Sequence, residues 1–152
     1  MPVTATPVVA SSLTSDRVRE FMRDYSNMNP LLDDVEFSDA EITSAINRAV
    51  DHANVIGRPT GYTVDRFPNQ YVLLLGTSSF LLKSEAFRQL RNQATYQDGN
   101  IQPVGIDDKQ QLYSSLSNAL SAEFNQLVMS IKVAANMATR GRLASPLYRP
   151  RR

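Results

Sequence analysis

Apolar residues recur at three- and four-residue intervals in four stretches of the chain, the period of an amphipathic α-helix. The first stretch begins at Ser15, a good N-cap residue, and Asp16 suits the positive end of a helix dipole. Its apolar face consists of Val18, Phe21, Met22 and Tyr25. The pattern predicts a short first helix, followed by a loop over the polar, proline-containing segment 26–37.

The second stretch has the clearest start signal. Ser38 and Glu41 have the spacing of a capping box, and Phe37 is placed to pack against Ile42 as a hydrophobic staple. The apolar stripe consists of Ile42, Ala45, Ile46, Ala49, Val50 and Ala53. Because two glycines and a proline follow at positions 57–61, the second helix is predicted to end near Ile56.

The third helix is predicted from Pro68, which suits a first helical turn, to about Thr95. Its apolar face includes Tyr71, Val72, Leu75, Ser79, Leu82, Ala86, Phe87 and Leu90. The first half is apolar on nearly all sides, which predicts burial on most of them, although Gly76 weakens the middle of the helix.

A long fourth helix is predicted from Asp107 or Asp108 to Thr139, a length of about 45 Å. Its apolar stripe is Leu112, Leu116, Leu120, Phe124, Leu127, Ile131, Ala134 and Ala138. The other face carries small uncharged polar residues: Ser114, Ser115, Ser117, Asn118, Ser121, Asn125, Gln126, Ser130 and Asn136. Since solvated faces are usually charged, this face is predicted to contact other subunits; an ordinary exposed face is the alternative.

Two further segments lack a helical period. Asp98-Gly99 lies between short apolar stretches and predicts a β-hairpin near 95–105, whose contact residues are Tyr96, Asp98, Gly99 and Ile101. Residues 1–12 contain two prolines and several hydroxyl residues and predict an extended arm. The predicted fold class is therefore mainly α: a helical bundle in residues 13–139 with a small β-hairpin, one long C-terminal helix and extended termini.

Charge separates the C-terminus from the rest of the chain. The sequence has 16 basic and 15 acidic residues, but positions 140–152 contain five arginines and no acid, which leaves the preceding 139 residues at a net −4. A docking tail is predicted here, composed of Arg140, Arg142, Leu143, Leu147, Tyr148, Arg149, Arg151 and Arg152. Apolar residues interleaved with arginine favour a protein groove. Phosphate binding and a solubilising tail remain alternatives.

Little catalytic equipment is present. The chain has no Cys and one His, so thiol catalysis, thiolate metal sites and mechanisms that need two imidazoles are excluded. His52 is predicted to be a surface or partly buried residue. The acidic run Asp33, Asp34, Glu36, Asp39 and Glu41 lacks the spacing of an EF-hand. We therefore expect no enzyme activity, catalytic residue, cofactor or metal. We also expect neither a signal peptide nor a membrane span.

The order of elements resembles a known family. In the order of its elements the chain is similar to the head-to-tail adaptor, or connector, proteins of tailed bacteriophages. These elements are a capped helix after NPLLDDVEFSDAEI, a Gly/Pro loop, a third helix, a hairpin at YQDGNIQPVG, a long helix and an Arg-rich tail. The resemblance implies a homo-oligomeric ring, commonly of twelve subunits, a projecting hairpin and a C-terminal segment that docks on the portal.

The expected function is a virion structural protein that forms a ring adaptor between portal and tail. The expected partners are further copies of the chain, the portal protein, tail or neck proteins, and genomic DNA that passes through a central channel without specific binding. No membrane partner is expected. The location is the neck of the virion, after assembly in the host cytoplasm. A neck or tail-completion protein away from the portal and a small helical nucleic-acid-binding protein are the alternatives.

Overall fold

A computed structural model describes residues 12–29, 34–92 and 109–143. These ranges contain four α-helices: α1 (Ser15–Met22), α2 (Asp39–Val55), α3 (Gln70–Asn92) and α4 (Lys109–Leu143), with a 3₁₀ turn at Ser26–Met28 after α1. The mainly helical fold class is confirmed, and the described ranges contain no strand. The predicted hairpin near 95–105, with Tyr96, Asp98, Gly99 and Ile101, lies outside the described residues.

Helix α3 is the centre of the bundle. It packs most extensively against α4, then against α2, and it also contacts α1. Its residues from Val72 to Ser79 are buried except for the half-buried Leu74, which confirms the prediction that the first half of this helix is enclosed. The apolar face leaves the core at the two ends of the helix, where Tyr71, Phe87 and Leu90 are exposed.

Helix α1 is shorter than its apolar pattern suggested. Arg23 adopts a left-handed conformation (φ 59°), and the N–H groups of Arg23 and Asp24 both donate to the carbonyl oxygen of Arg19. This arrangement ends the helix at Met22, so Tyr25 does not belong to the helix face on which it was predicted. The N-cap residue is Thr14 rather than Ser15. Of the predicted apolar face, only Val18 is buried.

Asp24 connects α1 to the start of α2. Its buried carboxylate accepts hydrogen bonds from the Arg19 guanidinium at 3.1 Å, the Asn29 amide at 2.9 Å and the backbone N–H groups of Glu36 and Phe37 at 2.6 and 3.0 Å. Because a buried carboxylate must be satisfied by donors, these four bonds fix the path of the chain into α2.

The predicted capping box of α2 is confirmed. The Glu41 N–H donates to Ser38 Oγ at 3.3 Å, and the Ser38 N–H donates to Glu41 Oε2 at 2.8 Å. The Ser38 N–H and the Ser38 hydroxyl both donate to the Glu41 carboxylate, which favours its charged form and lowers the pKa of Glu41. Phe37 and Ile42, the predicted staple pair, are both buried in the same core. The helix ends at Val55, as predicted within one residue, and Gly57 has a positive φ of 64°.

The C-terminal end of α2 is held by a lysine from α4. Lys132 is buried, and its ammonium donates to the carbonyl oxygens of Ala53, Ile56 and Arg58 at 2.5, 2.7 and 2.9 Å. Burial lowers the pKa of Lys132, whereas the carbonyls and the negative end of the α2 dipole favour the charged form. The ammonium therefore satisfies carbonyls that have no partner inside the helix.

Helix α4 begins close to its predicted start but continues to Leu143, four residues beyond the predicted end. Phe124 is its central core residue and is fully buried. Its ring stacks on the imidazole of His52, with ring centroids 6.0 Å apart, and lies directly against the backbone of Gly76 in α3. The glycine that weakens α3 in the sequence thus leaves room for an aromatic side chain of α4 against the α3 backbone.

Candidate interaction surfaces

The apolar stripe predicted on α4 leaves the core towards the N-terminus of the helix. Leu112 and Leu116 are 65% and 51% exposed, whereas Phe124 is fully buried. Residues spaced by four advance about 40° around an α-helix at each step, so three steps carry Leu112 about 120° away from Phe124. The sequence analysis predicts one apolar stripe along the whole helix and therefore does not predict this exposure.

The polar face of α4 is divided between the interior and the solvent. Ser117 is buried and donates to the carbonyl oxygen of Ser79 in α3 at 2.8 Å. Asn125 Oδ1 lies 3.2 Å from His52 Nε2, and Asn136 Oδ1 accepts from Arg58 at 3.2 Å. Ser117 therefore faces the interior of the chain and not another subunit. Asn125 and Asn136 are half-buried, and contact with other subunits stays a prediction for the rest of this face. Exposed members remain at Ser115, Asn118, Gln126 and Ser130.

A groove of about 140 Å³ lies between the C-terminal end of α3 and the N-terminal end of α4. Its lining residues are Lys83, Ala86, Phe87, Leu90, Gln110, Ser114, Ser117 and Asn118. Phe87 is 55% exposed and Leu90 is 49% exposed, so two large apolar side chains border the opening. We refer to this feature as the α3–α4 groove. Exposed aromatic and aliphatic groups beside a cleft are typical of protein docking sites.

The C-terminal part of α4 is apolar and exposed. Val133, Ala134, Met137 and Ala138 are all exposed, and Met137 has 69% of its surface accessible. These four residues, which we call the α4 tip, follow Lys132, whose side chain points into the body of the chain. An apolar helical segment that is exposed on several sides is suited to enclosure by a partner. The spacing of Met129, Val133 and Met137 by four residues is a sequence signal for this surface.

The predicted docking tail is only partly within the described residues. Arg140, Arg142 and Leu143 belong to the last turn of α4, so the tail begins as a continuation of this helix. Leu147, Tyr148, Arg149, Arg151 and Arg152 lie outside the described residues. The arm at 1–12 lies outside them as well, except for Ser12. The structure thus places the first tail arginines immediately after the α4 tip.

A cluster of ionisable groups lies where α3, α4 and the segment before α2 meet. Arg88 contacts the buried Glu85 carboxylate through Nε at 2.7 Å and Nη2 at 2.9 Å, and it lies 3.6 Å from Glu36. Burial, followed by the neighbouring Glu85 carboxylate, raises the pKa of Glu36. Burial and the same two carboxylates raise the pKa of Tyr113 on α4. The guanidinium of Arg88 thus joins α3 to the segment before α2, and the two carboxylates act electrostatically on Tyr113 of α4.

The acidic run near the start of α2 is engaged within the chain. Asp39 pairs with Arg19 at 2.8 Å, and this contact lowers the pKa of Asp39. Glu41 belongs to the capping box, Glu36 to the cluster around Arg88, and Asp33 lies outside the described residues. Within 12–29, 34–92 and 109–143, no three acidic or histidine side chains are grouped so that they could hold a metal ion.

His52 is a partly buried packing residue, as predicted. Its ring stacks on Phe124, meets Phe80 edge to face with centroids 5.8 Å apart, and lies within hydrogen-bond distance of Asn125. The imidazole therefore joins α2 to both α3 and α4.

None of the helices in the described ranges is long and apolar enough to cross a membrane. No protein-family model, curated protein or solved structure matches the chain.

Proposed function

We propose that this chain is a non-enzymatic virion structural protein that forms a ring adaptor between the portal and the tail, with a central channel for genome passage. The observation that carries the proposal is the pair of exposed apolar surfaces, the α3–α4 groove and the α4 tip, at opposite ends of the longest helix. A chain with apolar surfaces at two ends is suited to contact more than one neighbour.

The tail supports the portal contact. Five arginines follow Thr139, and the first two lie on the helix that carries the α4 tip. A basic segment interleaved with Leu143, Leu147 and Tyr148 combines apolar anchors with charge, which is typical of segments that dock on another protein. In this proposal the tail binds the portal, and the folded body forms the ring.

The test is co-sedimentation with portal rings from the same phage. Removal of residues 144–152 keeps all of α4, so the truncated protein should retain its circular dichroism spectrum but lose attachment to the rings. The triple variant Arg149→Ala, Arg151→Ala, Arg152→Ala should weaken attachment strongly. The control is a triple variant that removes the same charge from exposed positions of the body: Arg17→Ala, Arg48→Ala, Arg66→Ala. It should bind the portal rings like the wild type. Unchanged attachment of the truncated protein contradicts the portal role and favours a neck or tail-completion protein.

The arginine tail also favours a second candidate, a nucleic-acid-binding protein. Five arginines can neutralise several phosphates, and such binding falls steeply as salt increases. The net −4 charge of residues 1–139 opposes it. Filter binding of duplex DNA at increasing salt distinguishes the two functions. An adaptor should bind DNA weakly even at low salt. A phosphate-binding protein should bind DNA tightly at low salt, and the logarithm of its affinity should fall linearly with the logarithm of the salt concentration.

A further inference from the structure

Three basic side chains lie at the α3–α4 groove. Lys83 is the charged one among the described residues that line it. Arg91 lies on α3 one turn after the lining residue Phe87, and Lys109 directly precedes the lining residue Gln110 on α4. The side chains of Lys83, Arg91 and Lys109 are all exposed, and we call these three residues the groove cations.

The groove cations have no acidic partner within the described residues, where none of them forms an ion pair. The single acidic residue of α3, Glu85, is buried and bonded to Arg88. The single acidic residue of α4, Glu123, lies five residues beyond Asn118, the last described residue that lines the groove. The two helices that form the groove therefore offer the groove cations no carboxylate.

The groove has room for one apolar side chain. Its volume of about 140 Å³ is close to that of the ~150 Å³ cavity that admits a benzene ring. Phe87 and Leu90 supply an apolar border, while Ala86 and Ser114 are small and leave the space between the two helices open. A single aliphatic or aromatic anchor fits this volume, whereas a row of anchors does not.

Shape and charge together select one class of partner. A protein segment that places an apolar anchor in the groove brings its neighbouring residues within reach of the groove cations, where carboxylates form charge-assisted hydrogen bonds. Like charges across an interface are unfavourable, so a segment as basic as positions 140–152 of the chain itself is disfavoured. Duplex DNA carries the opposite charge, but its phosphates do not fill an apolar space.

We infer that the α3–α4 groove binds an acidic segment of another protein, with one apolar side chain in the groove and neighbouring carboxylates on the groove cations. The inference goes beyond the proposed function, because it assigns a class of partner to a surface that the contact between tail and portal does not use. Portal co-sedimentation tests the tail and not the groove, so either proposal can fail without the other.

The test begins with a library of random peptides of about 12 residues, selected on the wild-type protein. The most enriched peptide should contain more than one Asp or Glu next to a Leu, Ile, Met or Phe. Fluorescence anisotropy then measures its affinity for purified variants. Replacement of the acids of the peptide by their amides should weaken binding by about ten-fold or more.

Two variants of the protein test the two parts of the site. Lys83→Glu with Arg91→Glu reverses the charge, and Phe87→Ser with Leu90→Ser removes the apolar border. Each should weaken binding of the enriched peptide by about ten-fold or more. The control Arg17→Glu with Arg48→Glu reverses two exposed charges on α1 and α2 and should bind the peptide like the wild type. All four side chains changed at the groove are exposed, so both groove variants should fold.

Other results overturn the inference. These are a selection that enriches no peptide, one that enriches neutral or basic peptides, and an enriched peptide that binds both groove variants like the wild type. Tighter binding of a DNA duplex of about 12 base pairs, lost on charge reversal, assigns the groove to nucleic acid. If the serine variant loses as much urea resistance as the core variant Leu75→Ala, the groove is covered within its own chain. Wild-type oligomers that the serine variant does not form would make a second copy the occupant.

Discussion

The ring of Phe124 lies against Gly76 so closely that a Cβ atom on residue 76 would be 2.7 Å from Phe124 Cε2. The contact joins the middle of α4 to the N-terminal half of α3, and these two helices form the most extensive helix pair of the described residues. The same ring stacks on His52 of α2. One aromatic side chain on α4 therefore packs against both α2 and α3.

Gly76→Ala should destabilise the protein, although alanine is the better helix former by about 1 kcal/mol. The added methyl group should cost about 1 to 3 kcal/mol of overpacking against the ring. The control is Gly61→Ala, since a Cβ at Gly61 meets nothing within 4 Å and should leave the stability equal or slightly higher. Urea unfolding of both variants decides the matter. A more stable Gly76→Ala variant would show that α4 does not pack this closely.

Lys132→Met should lower the free energy of unfolding by about 1 to 3 kcal/mol. The methionine keeps most of the aliphatic stem but leaves the carbonyls of Ala53, Ile56 and Arg58 without their donor. Lys83→Met, at an exposed position of α3, is the matched control and should change little. Denaturation with urea at neutral pH measures both. Equal effects of the two substitutions would mean that the ammonium does not stabilise the end of α2.

Glu36→Gln should stabilise the protein at neutral pH and reduce the pH dependence of its stability. Because the pKa of Glu36 is raised in the folded state, the folded chain holds this proton at pH values where the unfolded chain has lost it. The contribution of Glu36 to the free energy of unfolding therefore decreases as pH rises from the ordinary glutamate pKa through the raised one. Urea titrations at about pH 4 and about pH 7 should show a gain only at the higher pH. Glu20→Gln, at an exposed position on α1, should not produce this difference.

Ser38→Ala should cost about 1 kcal/mol through loss of the cap, whereas Ile46→Ala should cost about 2 to 5 kcal/mol through a cavity in the core. Ser38 is exposed and acts through its bonds to Glu41, while Ile46 is buried at the inner face of α2. Comparison of the two urea midpoints tests the ranking. A larger loss for Ser38→Ala would place Ile46 outside the core.

The sequence by itself determined the helices, because their signals are local. The capping box at Ser38 and the dense apolar run of α3 act within a few residues, and both are present in the structure. The end of α1 was predicted too late because no residue type in the sequence marks Arg23 as a left-handed position.

Only the tertiary structure decided which side of each helix is covered. The four-residue spacing of α4 does not say where the stripe leaves the core, since that depends on the length and position of α3. Likewise, no pattern in the sequence marks Lys132 for burial, yet it is buried because α2 ends opposite it and offers carbonyls to its ammonium. Patterns along one helix fix its own geometry, whereas burial and exposure depend on where its neighbours begin and end.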